Sequence, residues 1–185
     1  IYDRLVGSEM CIRDRRNSYL RASYRITYGS EIFFILEKIM ISEKILVNPE
    51  NKKIEDTITL TYDQRFIRRK KLVSDNNFGF LVNLSETVSL KKNDGFLLDN
   101  GSIILIKSAE EELLEITSNN LMKITWHIGN RHIPCQIENE RLLIQVDKVI
   151  ENLIIKLGGH VKKVKEEFNP EGGAYGLGRT HGHKH

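Results

Sequence analysis

The chain has 185 residues, with 28 Lys and Arg against 25 Asp and Glu and a formal charge of +3; this allows one or two small domains and demands neither a nucleic-acid nor a membrane partner. Its two cysteines, Cys11 and Cys135, stand far apart in unlike surroundings, which argues against a disulfide framework and fits a reducing, cytoplasmic compartment. Apolar runs such as 32–36 and 39–41 are too short to span a membrane, and Arg4, Glu9, Arg13, Asp14, Arg15 and Arg16 leave no uninterrupted apolar stretch for a signal peptide.

Residues 1–38 differ in pattern from the rest of the chain. Arginine is dense between Arg13 and Arg25, lysine is absent before Lys38, and no helical or strand period holds through the first thirty positions. The stretch Leu5 to Arg15 reads like translated linker sequence, so 1–38 is expected to be a non-native or disordered extension, with Met40 as a candidate start. From Ile45 to Ile116 short apolar runs alternate with turn residues: 57–62, 64–69, 78–84, 86–90, 95–98 and 102–107 are strand candidates. Asn76-Asn77, Asn93-Asp94-Gly95 and Asp99-Asn100-Gly101 tolerate the positive φ that turns between strands require. The cluster Arg65, Arg68, Arg69, Lys70 and Lys71 could touch RNA or an acidic partner, but reads rather as a solvated strand edge protected by charge, since no aromatic platform for single-stranded nucleic acid is interleaved with it.

A different pattern begins near Glu111. A strand at 112–117 leads to a helix capped by Ser118 or Asn119, with Leu121, Ile124, Thr125 and Ile128 on one face and Gly129 at its C-terminal turn. Strands at 132–137 and 141–146 come next, then a second helix capped by Asp147 with Val149, Ile150, Leu153, Ile154 and Leu157 as its apolar face, then Gly158-Gly159 and a strand at 160–168. The order β-α-β-β-α-β is the ferredoxin-like arrangement. The predicted class is therefore α+β: a small all-β domain over 39–110, a ferredoxin-like metal-binding domain over 111–170, and a flexible Gly/His tail over 171–185.

All six histidines lie in the last third of the chain, at 127, 132, 160, 181, 183 and 185. Imidazole is the commonest ligand for borderline divalent metals, and a short His-rich tract binds them without a packed core. One histidine cannot complete a site, so His132 needs His127, the tail residues His181, His183 and His185, or its own copy across a homodimer axis. Cys135 sits among apolar neighbours as a small core residue, which leaves nitrogen ligation and hence Ni(II), Zn(II) or Cu(II). His160 reads as a surface residue. The glycine run 172–178 opens no helix and has no P-loop lysine. No His-Glu-x-x-His motif or serine elbow is present, which argues against a hydrolase; a zinc-dependent hydrolase and a small RNA-binding module are the alternatives from other classes.

Two blocks are specific: His127-Ile128-Gly129-Asn130-Arg131-His132-Ile133-Pro134, and Phe168-Asn169-Pro170-Glu171-Gly172-Gly173-Ala174-Tyr175-Gly176, followed by the His-bearing end. Together with the turns at Asp94-Gly95 and Asp99-Asn100-Gly101-Ser102, they resemble the UreE family of urease accessory proteins over about residues 40–185. The resemblance implies a non-catalytic, cytoplasmic nickel metallochaperone, with Zn(II) or Cu(II) as in vitro substitutes. It implies a homodimer in which His132 meets its symmetry mate, tail histidines 181, 183 and 185 add ligands, and His127 plays a lesser part. It implies a partner-binding role for the β domain, and as partners the urease apoprotein and its accessory complex with a GTPase. Where relatives carry further histidines at the start of the second helix, this chain has Gln145, Val146, Asp147 and Lys148, so no additional site is expected there. The short tail implies delivery of few ions rather than storage.

Overall fold

The computed structural model describes residues 11–13, 19–28, 31–49 and 53–172. The first of these form three strands, β1 (Cys11–Arg13), β2 (Tyr19–Tyr28) and β3 (Glu31–Lys38), paired antiparallel in a sheet of their own. This is regular backbone where the sequence offers no period.

The next six strands make one sheet: β4 (Met40–Leu46), β5 (Ile54–Leu60), β6 (Phe66–Val73), β7 (Gly79–Ser89), β8 (Gly95–Leu98) and β9 (Ile103–Ser108), in the order β5-β9-β8-β4-β7-β6. The β4–β7 and β5–β9 pairs are parallel, the others antiparallel. β4 is not among the strand candidates, because its polar Ser42, Glu43 and Lys44 interrupt the apolar alternation; Ser42 is nonetheless buried, its hydroxyl donating to the Lys44 carbonyl. The two strand candidates at 78–84 and 86–90 are one element, β7. A register break accounts for the gap: Ile67 faces Val88, but Arg69 faces Asn83. Alternation delivers Ile58, Leu60, Phe80, Val82, Phe96 and Ile106 to a common core, where the rings of Phe80 and Phe96 lie 5.4 Å apart. Asn77, Asn93 and Gly101 take φ of 64°, 70° and 86° in the expected turns.

The second unit contains β10 (Glu110–Thr117), α1 (Leu121–Gly129), β11 (Gln136–Ile137), β12 (Leu142–Gln145), α2 (Lys148–Lys156) and β13 (His160–Glu167). Its antiparallel sheet has the order β11-β12-β10-β13. The N-cap of α1 is Asn120 rather than Ser118 or Asn119; its carboxamide oxygen accepts from the Lys123 N–H at 3.2 Å. Asp147 caps α2, accepting from the Val149 and Ile150 N–H groups. Ile124 and Ile128 from α1 and Ile150 and Ile154 from α2 all pack on Leu114, Ile116, Leu142 and Ile144, so both helices cover one face of the sheet. The opposite face, with Leu113 and Leu143, is closed by Phe168 and by Tyr62 of the first unit.

Two features fix this unit. A Cβ on Gly159 would lie 2.6 Å from Ile154 Cγ2 and 2.9 Å from Ile124 Cδ1, so the absence of a side chain there lets the chain pass close beside both helices. On the sheet, Arg141 joins three carboxylates: Glu138 and Glu115 at 2.7 Å each, and Glu166 through two bonds of 2.8 Å. The guanidinium holds Glu138 and Glu166 below the ordinary carboxylate value.

Replacing Gly159 by Ala is expected to destabilise the fold by about 1–3 kcal/mol through overpacking, while Gly79→Ala, where nothing lies within 4 Å, leaves the urea midpoint nearly unchanged. Because the Glu138 and Glu166 pKa values are depressed on folding, their contribution is complete above the unfolded value of about 4.5 and is lost as pH falls through the folded values. The stability gap between wild type and Arg141→Met, measured by urea unfolding, should therefore be widest near neutrality and narrow steadily below pH 4.5.

Candidate metal centre

The site begins where α1 ends. Asn130 donates to the Trp126 carbonyl at 3.0 Å, Arg131 to that of Ile128 at 3.1 Å and His132 to that of Gly129 at 2.9 Å. The chain thus keeps winding past the helix and reverses only at His132, which takes φ of 55°. Gly129, expected to supply the left-handed residue, is the last residue of the helix, and the histidine bears the unusual conformation. Histidine is among the residues enriched in that region, at a cost of about 1 kcal/mol.

This corrects the expected strand at 132–137. Pro134 has no N–H to give a ladder, and His132 is turned away from extended geometry, so pairing with β12 is confined to Gln136 and Ile137. The result is a short exposed loop carrying the imidazole. His132 lines a cleft of about 620 Å³ between the two units, with Arg65, Lys91, Cys135 and Glu171 among its other walls.

His127 is in the last turn of α1 and does not line that cleft. Its ring meets that of Trp126 edge-on at 5.0 Å, and its carbonyl accepts from Arg131 Nη1 at 2.9 Å. Cys135 is buried, and desolvation, reinforced by the Glu171 charge, pushes its thiol up to about 12; a thiolate, the form that binds metal, is disfavoured there. His160 is exposed at the head of β13, opposite Thr117. Among the described residues no three His, Cys, Asp or Glu side chains gather to hold a metal. His181, His183 and His185 lie outside the described residues.

The chain leaves β13 under tight control. Phe168 is fully buried, its ring edge-on to Tyr62 at 5.2 Å. Arg65 donates to the Phe168 carbonyl through Nη2 and to Asn169 Oδ1 through Nη1 at 3.1 Å, and the Ser108 hydroxyl donates to the same oxygen at 2.6 Å. The Asn169 N–H donates to Gln136 Oε1 at 2.7 Å, and the Glu171 N–H to the Cys135 carbonyl at 2.9 Å. Residues 169–171 are therefore stitched to the loop that carries His132, and Gly172 lines the same cleft. The sequence offers no cue to this use of Arg65. It groups Arg65 with the exposed Arg68 to Lys71, yet Arg65 is only 3% exposed.

Comparison with known families places this geometry. Residues 42–109 match the N-terminal domain of the UreE urease accessory protein and residues 111–185 match its C-terminal domain. The urease accessory protein UreE of Ruegeria pomeroyi is 52% identical over 131 residues, covering 71% of this chain and 88% of the relative. The chain belongs to the UreE family of urease accessory proteins. UreE proteins of Ruegeria sp. TM1040 and Paracoccus denitrificans are 49% and 40% identical, across 72% and 77% of this chain and 76% and 90% of the respective relatives. In this UreE family member the C-terminal match contains both the His132 loop and the tail histidines, and the N-terminal match contains Arg65. No helix among the described residues is long and apolar enough to cross a membrane.

The left-handed backbone of His132 separates its structural cost from its imidazole. His132→Gly should be more stable than His132→Ala by about 1 kcal/mol in urea unfolding, although both remove the same imidazole.

Proposed function

We propose that this chain is a nickel metallochaperone that binds Ni(II) as cargo and delivers it to apo-urease during assembly of the urease active site. The observation that carries this reading is the position of His132: exposed, on the short loop that follows α1, and beside the point where the chain end departs. Met122 and Trp126, 86% and 63% exposed, stand one helical turn apart on the side of α1 opposite Ile124 and Ile128. Apolar groups this large in water favour burial against a second copy. A two-fold axis through that face duplicates any residue near it, and so pairs His132 with its mate.

The remaining ligands come from the tail. His181 stands nine positions after Gly172, a reach of about 30 Å when extended, so His181, His183 and His185 can approach a metal held at His132 of either copy. His127, turned toward Trp126, serves as an accessory ligand. Imidazole ligands that leave one at a time suit transfer, and no step of this function is catalytic. We read the C-terminal unit as ferredoxin-like, supported by its element order and strand order, and the β domain as the carrier of partner contacts. The partners in this reading are the urease apoprotein and its accessory complex with a GTPase, in the cytoplasm. Family membership supports the urease connection; the imidazole-rich, thiolate-poor donor set supports Ni(II) as cargo, with Zn(II) or Cu(II) able to substitute in vitro.

Nickel titration by calorimetry, with oligomeric mass followed in parallel, tests this. His132→Ala should remove the tightest event while leaving the dimer, a truncation after Arg179 should lower stoichiometry or affinity, Trp126→Asp should give monomers without the tight event, and Cys135→Ala should bind as wild type. Wild-type binding by both His132→Ala and the truncation would overturn the reading.

A further inference from the structure

β6 ends the six-stranded sheet, and among the described residues its outer edge pairs with no strand. Four consecutive residues on it, Arg68, Arg69, Lys70 and Lys71, are all exposed. Arg69 is held in place: its Nε donates to Asn83 Oδ1 at 2.8 Å, and the Asn83 amide donates to Glu43 Oε1 at 3.1 Å. Arg68, Lys70 and Lys71 make no side-chain hydrogen bond or ion pair with the described residues.

Edge strands commonly carry one charge to discourage aggregation. This edge carries more than that role requires. After the register break at Ile67/Arg69, Lys70 faces the buried Val82 and Lys71 faces Leu81, so alternation sends cations to both faces of the strand. Apolar surface continues the edge at its end, where Val73 and Phe78 are 60% and 40% exposed. Between Arg68 and Lys71 an incoming strand would therefore find an edge that pairs with no strand among the described residues, cations on either side of it, and an apolar contact at one end. A nucleic acid would find phosphate contacts, but rings only at the two ends of the edge, Phe66 and Phe78, with none between them to take successive bases.

We propose that the outer edge of β6 is a docking site for an acidic extended segment of a partner protein, which adds as a further strand of the sheet with its carboxylates against Arg68, Lys70 and Lys71. Main-chain pairing supplies affinity and the cations supply selection, rejecting apolar or basic strands that would otherwise pair there. This rests on the reading of the β domain as the partner-binding part and gives that reading a place and a chemistry. It is separate from the nickel site, because no residue of β6 lines the cleft at His132.

The test uses the full chain and an eight-residue peptide of the repeat Glu-Glu-Val-Val, which as a strand carries carboxylates on both faces, with the Lys-for-Glu peptide and oligouridylate as comparators. Fluorescence anisotropy should show binding of the acidic peptide only, weakening as salt rises. The variant R68Q/K70Q/K71Q should lose about tenfold in affinity, three exposed pairs of modest strength, with unchanged circular dichroism and an unchanged nickel isotherm. Hydrogen exchange should show new protection of β6 amides in the complex, which simple charge attraction would not produce. Equal binding of the acidic peptide by wild type and the variant, binding without new β6 protection, or binding of oligouridylate in preference to the peptide would each overturn the proposal. Binding of none of the probes would overturn it as well and leave β6 a charged, protected edge. Loss of nickel binding in His132→Ala with peptide binding intact would separate the two sites.

Discussion

The four-stranded sheet of the second unit has two apolar faces and only one pair of helices, and the burial of the uncovered face is what ties the molecule together. Leu113 and Leu143 are fully buried on that face although no helix among the described residues packs there. Phe168, the residue after β13, folds back over them, and Tyr62 closes the layer from the β domain. Burying one such aromatic ring contributes on the order of 2–3 kcal/mol. The polar cost of the seam falls on Arg65, whose guanidinium is taken out of water and compensated by the Phe168 carbonyl and the Asn169 carboxamide. A seam made by the end of β13 also decides where the chain emerges. Asn169 and Glu171 are bonded to Gln136 and Cys135, so packing of a core residue sets the departure point of the histidine-bearing end.

The exposed imidazole depends on a local compromise in the same loop. A strand running from His132 would have placed alternate side chains into and out of the sheet, burying some of the loop and aligning His132 with a ladder. The extra winding after α1, the left-handed backbone at His132 and the missing donor of Pro134 together prevent this. Cys135, three residues on, rejoins the core, where desolvation keeps its thiol protonated. One short loop thus presents an imidazole to solvent and withdraws a thiol from it.

Cations of one formal charge serve three physical purposes in this chain. Arg65 is buried and structural. Arg141 is partly exposed and joins Glu115 of β10, Glu166 of β13 and Glu138 of the turn after β11. Arg68, Lys70 and Lys71 stand in water along an edge that pairs with no strand among the described residues. The difference lies in neighbours, since a guanidinium is tolerated inside only where carbonyls and carboxamides meet it, and is worth little outside where solvent screens it.

The division into a strand-rich part and a β-α-β-β-α-β part is legible in the sequence alone, because apolar periodicity and turn residues are local signals. Asn77, Asn93, Gly101, Asp147 and Gly158 carry them, each acting within a few residues of its own position. The sequence also marks His132 and the tail histidines as candidate ligands, through composition and through the resemblance carried by the blocks around 127–134 and 168–176. Tertiary packing settles what local signals do not encode. It joins β7 across a register break, places β4 in the sheet despite its polar centre, moves the left-handed turn from Gly129 to His132, and divides Arg65 from its basic neighbours. Each of these depends on partners distant in sequence: Arg65 meets Phe168 and Asn169 more than a hundred residues away, a contact that no periodicity in either segment can announce.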